Sequence, residues 1–209
     1  MEETLVREAD AATFEKIKQG DLNLCMGRDK NHVFVDGCVL KYADPGTFKQ
    51  VNGYYWRDKN FVYLLGYDFG RGDYVVHHAD PQSFAVMAHF PWSKDAGHVF
   101  CYVDSLPLTH PATFIVVDEN WGKDGSFYYW NAKRIDSIDY ATAQIVSSDY
   151  VKDKEHVFYQ NMRVKDANPK TFTADGVGTF GHDDKYMFSE EKNDGVITAE
   201  YRKTYIDGK

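Results

Sequence analysis

Apolar and polar positions recur along this chain in short alternating blocks. In "GRDKNHVFVDGCVLKYADPGTF", residues 27 to 48, a polar turn leads into a run of apolar residues, and a second polar turn ends on a single Phe. The same order returns in "RDKNFVYL" from Arg57, which reaches "ADPQSF" at Ala79 to Phe84, and in "KDKEHVFY" from Lys152, followed by "NPKTF" from Asn168. Internal periodicity of this kind is settled before any local assignment, because it decides the architecture. Aligned on its acid, the pattern falls at Asp29, Asp58, Asp95, Asp124, Asp153 and Asp183, with steps of 29, 37, 29, 29 and 30 residues. A basic residue precedes each: Arg28, Arg57, Lys94, Lys123, Lys152 and His182. Four positions after each Asp come Val33, Val62, Val99, Tyr128, Val157 and Met187, and next to them Phe34, Tyr63, Phe100, Tyr129, Phe158 and Phe188.

That order predicts a hairpin in every unit. An Asp at the first turn position accepts the backbone N–H two residues on, and Asn31, Asn60 and Gly97 tolerate the positive φ that a tight turn asks for. Ser126, Glu155 and Lys185 hold the same place elsewhere, which predicts a less demanding turn there. The second half of the unit, "ADPGTF", "ADPQSF", "THPATF", "IDYATA" or "ANPKTF", sets Asp44, Asp80, His110, Asp139 or Asn168 before a position that is Pro in four of the five. A short polar residue before Pro is the signature of a helix N-cap with Pro in the first turn. One helical turn is therefore expected after each hairpin, with Phe48, Phe84, Phe114 and Phe172 plugging it into the core and Ala143 standing where the fourth unit lacks its Phe.

"EADAATF", Glu8 to Phe14, is the same half-unit, so the chain reads as starting in mid-repeat and ending on a hairpin without its partner half. The expectation is an all-β fold: an antiparallel stack of about six hairpin repeats of roughly 30 residues with short helical turns, in one repeat domain over residues 1–209. A unit this short favours an open array over a closed, propeller-like ring, whose blades run to about 40 residues or more. The last stretch, "KYMFSEEKNDGVITAEYRKTYI", reads as strand, turn at Asn193-Asp194-Gly195 and strand, forming a C-terminal cap.

Composition agrees and narrows the partners. Fifteen Tyr and fourteen Phe favour strands. The net charge of −8, from 24 basic and 32 acidic residues, argues against nucleic acid and suits a basic protein partner or simple solubility. Cys25, Cys38 and Cys101 are an odd number and make no disulfide framework; they read as small buried hydrophobes. The start "MEETLVREAD" has no basic or apolar leader character, and no run reaches the roughly 18 apolar residues of a membrane span. No membrane insertion is expected and the cytoplasm is the expected compartment, with the periplasm as the alternative if a signal has been removed.

The chemistry-bearing motifs are sparse. "GVGTFG", Gly176 to Gly181, has the spacing of a phosphate loop, but the next hairpin follows it where a helix is required, so no cofactor is expected. His32, His98 and His156 share one repeat position that Phe61, Phe127 and Tyr186 hold in the even units, which suits any flat ring better than a zinc ligand. The turn acids lack the alternating oxygens and closing Glu of a calcium loop, so no metal is expected. No nucleophile elbow or H-E-x-x-H helix occurs, and no catalytic residues are assigned.

"DKNHVF" at Asp29 to Phe34 and "DKNFVY" at Asp58 to Tyr63, each trailed by "ADPxTF"-like residues, resemble the DKNYY repeat family of bacterial proteins; "DAGHVF", "DGSFYY" and "DDKYMF" depart from the motif. The resemblance covers nearly the whole chain. It implies a bacterial protein with no established catalytic residues, of a kind found in secreted or surface settings and among candidate immunity proteins beside polymorphic toxins.

The second unit breaks the period with about seven extra residues in "LLGYDFGRGDYVVHHADP". Insertions in repeat arrays emerge as loops on one face, often the binding face. Tyr67, Asp68, Phe69, Arg71 and Asp73 offer the mixture of aromatic, acid and Arg that suits a protein contact. The expected function is a non-enzymatic protein-binding module, an immunity protein that occludes a cognate, basic toxin; the alternative is an envelope-associated repeat module that binds glycan or another surface component.

Overall fold

The structure is a computed structural model that describes residues 8–18, 24–67, 74–176 and 178–207. Among the described residues the fold is nearly all β, with six small antiparallel sheets, none closed into a barrel. The first sheet is Glu15–Lys16, Met26–Arg28, Val33–Val35 and Cys38–Val39, and the second Lys49–Asn52, Tyr55–Arg57 and Val62–Leu64. The third is Ala85–Val86, Trp92–Lys94, Val99–Cys101 and Asp104–Ser105. The fourth is Ile115–Val116, Trp121–Lys123, Tyr128–Trp130 and Lys133–Ile135, and the fifth Gln144–Ile145, Tyr150–Lys152, Val157–Tyr159 and Met162–Arg163. The sixth is Thr173–Asp175, Phe180–His182, Tyr186–Ser189 and Lys192–Val196. The chain gathers into two compact units, residues 1–111 and 112–209, and each holds an open array of three sheets.

The periodic Asp is the buried keystone of each hairpin. In all six its Oδ1 accepts two backbone N–H groups, from the residues two and three positions on: Asn31 and His32, Asn60 and Phe61, Gly97 and His98, Ser126 and Phe127, Glu155 and His156, Lys185 and Tyr186. The carboxylate thus serves both donors of the turn. None of Asn31, Asn60, Gly97, Ser126, Glu155 or Lys185 has a positive φ, so the six turns are alike and the expected division into strict and relaxed turns is corrected. Positive φ recurs instead seven residues after the Asp, at Asp36, Tyr102, Asn131, Gln160 and Glu190.

The other carboxylate oxygen fixes how the half-units pair. Oδ2 of Asp29, Asp58, Asp95, Asp153 and Asp183 accepts the backbone N–H of Asp10, Asp44, Asp80, Asp139 and Asn168, at 2.8 to 2.9 Å. These five turn segments therefore belong to the hairpin that follows them, and Glu8 to Phe14 completes the first sheet. The expected mid-repeat start is corrected: the repeat begins with the turn, and the units run in phase from the first. The N-cap reading holds, since Asp10, Asp80, Asp139 and Asn168 accept the N–H two residues on, and Phe48, Phe84 and Phe172 close a single helical turn onto the cap carbonyl. The Thr13, Thr47, Ser83, Thr142 and Thr171 hydroxyls then accept the N–H that follows the keystone Asp.

Alternation along the middle strands serves two cores at once. In the second sheet Trp56 and Tyr63 pack with Met26, Val33 and Val35 of the first, while Tyr55, Val62 and Leu64 pack with Phe100 and Val103 of the third sheet's hairpin. In the second unit Val151 and Phe158 face Trp121 and Tyr128, while Tyr150 and Val157 face Phe188. Both faces of a central sheet are covered, which is why its third strand is apolar throughout. The plug Phe needs room: a Cβ on Gly27, Gly122 or Gly181 would stand closer to Cζ of Phe14, Phe114 or Phe172 than any non-bonded carbon pair allows. The fifth sheet carries Ala143 at the plug position and Val151 in the column of Gly27, Gly122 and Gly181, and both sit in one core with Ile145, so volume lost at one position is restored at the other.

Two further details depart from expectation. The turn between the last two strands lies at Glu190-Glu191, not at Asn193-Asp194-Gly195; Gly195, at φ +102°, takes part in a bulge opposite Met187 and Phe188. Residues after Thr198 form a short helix, Ala199–Tyr201, continued by a π-turn over Arg202–Ile206, in place of the expected strand. Cys101 is buried, its thiol pushed up to about 12 by loss of water and then by Asp104, whereas Cys25 and Cys38 are exposed, correcting their reading as buried hydrophobes.

Candidate interaction site

The inserted residues leave the second sheet at a defined corner. In the first, third and fifth sheets the residue eleven positions after the keystone donates its N–H to the third strand: Leu40 to Val33, Leu106 to Val99 and Val164 to Val157. In the second sheet that bond is made by Val76 to Val62 at 2.8 Å, joined by Leu64 to the Tyr74 carbonyl. The extra residues are thus spliced in between Leu64 and Tyr74, where the other units make a tight corner.

Each corner is closed by one repeated backbone bond. Asp36, Leu65, Tyr102, Asn131, Gln160 and Glu190 donate to the carbonyls of Cys25, Tyr54, Pro91, Asn120, Asp149 and Thr179. In the second unit these positions are Asn120, Asn131, Asp149, Gln160, Thr179 and Glu190, all polar. In the first unit Tyr54 and Tyr102 occupy them, and Tyr67 and Phe90 lie alongside. The four rings form one half-buried cluster: Tyr54 to Tyr67 5.0 Å, Tyr54 to Phe90 5.1 Å, Tyr67 to Phe90 5.4 Å, Tyr67 to Tyr102 5.7 Å and Phe90 to Tyr102 5.3 Å between centroids. They pack on the buried core of Tyr55, Leu64 and Val103. Burial first, then the neighbouring Tyr54, raises the Tyr67 hydroxyl above its ordinary value, so it remains a neutral donor at physiological pH.

Of the residues singled out by sequence, Tyr67 stands in this cluster, whereas Asp68, Phe69, Arg71 and Asp73 lie outside the described residues. Sequence reading missed Tyr54, Phe90 and Tyr102. The signal was present, since Tyr102 is the aromatic member of a column that also holds Asp36, Leu65, Asn131, Gln160 and Glu190.

The remaining candidates are accounted for locally. His32, His98 and His156 turn Nδ1 toward their own keystone carboxylate, at 3.9, 3.3 and 3.9 Å, and lie against Phe34, Phe100 and Phe158. Of the "GVGTFG" glycines, Gly176 and Gly178 lie between two antiparallel strands of the sixth sheet and Gly181 lies within the second of them. Among the described residues no group of three or more His, Cys, Asp or Glu side chains is placed to hold a metal ion, and no helix is long and apolar enough to cross a membrane.

Comparison with known proteins gives a match to the family model described as the DKNYY family, over residues 1–67 and again over residues 67–195. No curated protein and no solved structure matches the chain.

Proposed function

This chain belongs to the DKNYY family, and we propose that it is a non-enzymatic protein-binding module, specifically a bacterial immunity protein that covers the working surface of a cognate toxin. The observation that carries this reading is the aromatic corner of the first unit. Tyr54 and Tyr102 stand at corner positions that are polar throughout residues 112–209, and Tyr67, from the stretch that breaks the period, joins them with Phe90 in one cluster. Half-buried Tyr rings on a rigid base supply contact area at low entropic cost and are enriched among binding hot spots. The charge of −8 supports a basic partner whose encounter is steered electrostatically.

The test is capture from the native bacterium at low salt, followed by expression of the captured protein alone and with this chain. One stoichiometric partner, toxic alone and silenced by co-expression, is expected. Tyr67→Ala and Tyr102→Ala should each weaken that complex by about 30-fold, the effect of a hot-spot loss of about 2 kcal/mol. Capture of cell-wall material in place of a protein would replace this reading with the envelope-associated one. Wild-type affinity in both variants would remove the aromatic corner from the site.

A further inference from the structure

In several repeats the residue one or three positions before the keystone Asp reaches forward along the chain to a later backbone carbonyl. Arg28 Nη1 donates to the Pro45 carbonyl at 3.0 Å, Arg57 Nη1 to Pro81, Lys94 Nζ to Pro111 at 3.3 Å and Lys152 Nζ to Phe172 at 2.9 Å, all backbone carbonyls of the following turn. Three positions before the Asp, Tyr55 OH donates to Pro91 and Tyr102, Trp121 Nε1 to Ser147, and Tyr150 OH to Thr179 and Glu190. In the sixth sheet these two positions are His182 and Phe180, and both meet the C-terminal segment: Tyr205 stacks on Phe180 at 6.0 Å and Tyr201 stands edge-on to His182 at 6.2 Å.

A third change accompanies them. Three positions after the plug residue the earlier units carry Ile17, Val51, Met87, Val117 and Val146; the sixth carries Asp175, fully buried. Its Oδ2 lies 2.5 Å from His182 Nδ1 and accepts the Tyr201 hydroxyl at 3.0 Å, which also reaches the Gly181 carbonyl at 3.0 Å. Asp175 and His182 thus depart from their columns together, and the polar pair they make holds Tyr201.

We propose that residues 198–206 are a detachable end cap, and that the sheet face beneath it is an acceptor for the turn of a further repeat, supplied by the first sheet of a second copy of this chain. The occupant follows from the forward contacts. Three of the four basic side chains meet the carbonyl one residue after the turn's cap residue, and in the first sheet that residue is Ala11, which follows Asp10 and is exposed. Head-to-tail addition of this kind is heterologous, so it leaves one acceptor and one donor face on a pair and adds further copies as a ring or an open chain.

The test converts the sixth unit to the internal pattern with Asp175→Val and His182→Lys in one full-length chain. Two readouts are taken: the rate of trypsin cleavage after Arg202 and Lys203, and the mass in solution by light scattering over a roughly hundredfold concentration range. The expected result is cleavage at least about tenfold faster, as follows from losing a hydrogen bond to a charged acceptor, together with a mass that rises with concentration; the wild type should do neither. Faster cleavage at constant mass overturns the acceptor face, and unchanged cleavage overturns the latch. Should the double variant not fold, Tyr201→Phe with Tyr205→Ala loosens the cap without touching the sheet and is judged by the same two outcomes.

Discussion

Replacing Asp58 by Asn tests whether the keystone carboxylates hold the hairpins. Asp58 is 4% exposed and accepts four hydrogen bonds: Asn60 and Phe61 N–H on Oδ1 at 2.6 and 2.7 Å, and Asp44 N–H and Tyr63 O–H on Oδ2 at 2.8 and 2.9 Å. The Asn side chain keeps the first pair if its carbonyl takes the Oδ1 place, but it sets an NH2 group against two donors on the other side. Tyr63 can turn its hydroxyl to accept from that NH2. Asp44 N–H has no such recourse, and a stranded backbone donor costs about 1–3 kcal/mol, with a further ~1 kcal/mol for exchanging charged hydrogen bonds for neutral ones. The expected loss is about 2–4 kcal/mol in urea unfolding followed by Trp fluorescence, since Trp56 lies in the same sheet. Tyr63→Phe alone should cost about 1 kcal/mol, and the double variant should cost less than the sum because the two share one bond. Asp58→Asn within 0.5 kcal/mol of wild type, or strict additivity with Tyr63→Phe, would refute the keystone reasoning.

Acid should act through the same bonds. Asp29 is held below its ordinary value first by the Asp10 N–H, and Asp10, Asp44 and Asp139 are held low first by hydrogen bonds to Lys30, Lys59 and Lys154. For these depressed groups the stabilisation is complete above the unfolded value near 3.8 and is lost as pH falls through the lower folded value, so urea midpoints should be flat from neutrality to about pH 5 and fall steeply below pH 4. A midpoint that falls already between pH 7 and 5 would assign the loss to other groups. Gly122→Ala should destabilise by about 1–3 kcal/mol because its Cβ would stand too close to Cζ of Phe114, while Gly125→Ala, with open space at its Cβ, should stay within about 0.5 kcal/mol of wild type. Equal midpoints for the two would refute the plug-and-socket account of the glycines. If the partner is basic, its association rate with this chain should drop by about tenfold or more between low and physiological salt, as measured by stopped flow, and a salt-independent rate would count against charge steering.

Much of this architecture was written in the columns of the repeat, and the gaps have a physical origin. The Asp column is readable because one carboxylate serves the same donors in six hairpins, so no other residue fits. The phase of the half-units was not readable, because in a periodic chain a turn is equally near the hairpin before it and the hairpin after it. Only the long-range bond, Asp44 to Asp58 in place of Asp44 to Asp29, breaks that symmetry. The turn at Asn193-Asp194-Gly195 misled for a related reason: Gly195 does adopt positive φ, but a bulge uses that conformation as readily as a hairpin does.

Departures from the columns become interpretable when they are read in spatially linked sets. Ala143 alone looks like a defect; with Val151 in the glycine column, it is a volume exchange within one core. Tyr102 alone is an odd residue at a corner; with Tyr54 and Phe90 it is a surface. Asp175 alone would be a buried carboxylate in an apolar column and a loss of several kcal/mol if it were unpaired. With His182 at 2.5 Å and Tyr201 at 3.0 Å, it is an attachment point. A scan of the sequence column by column finds each anomaly, but only strand register shows which anomalies touch. That is why the insertion, an interruption of length, was visible at once, while the cap, an exchange of side chains at constant length, required the fold.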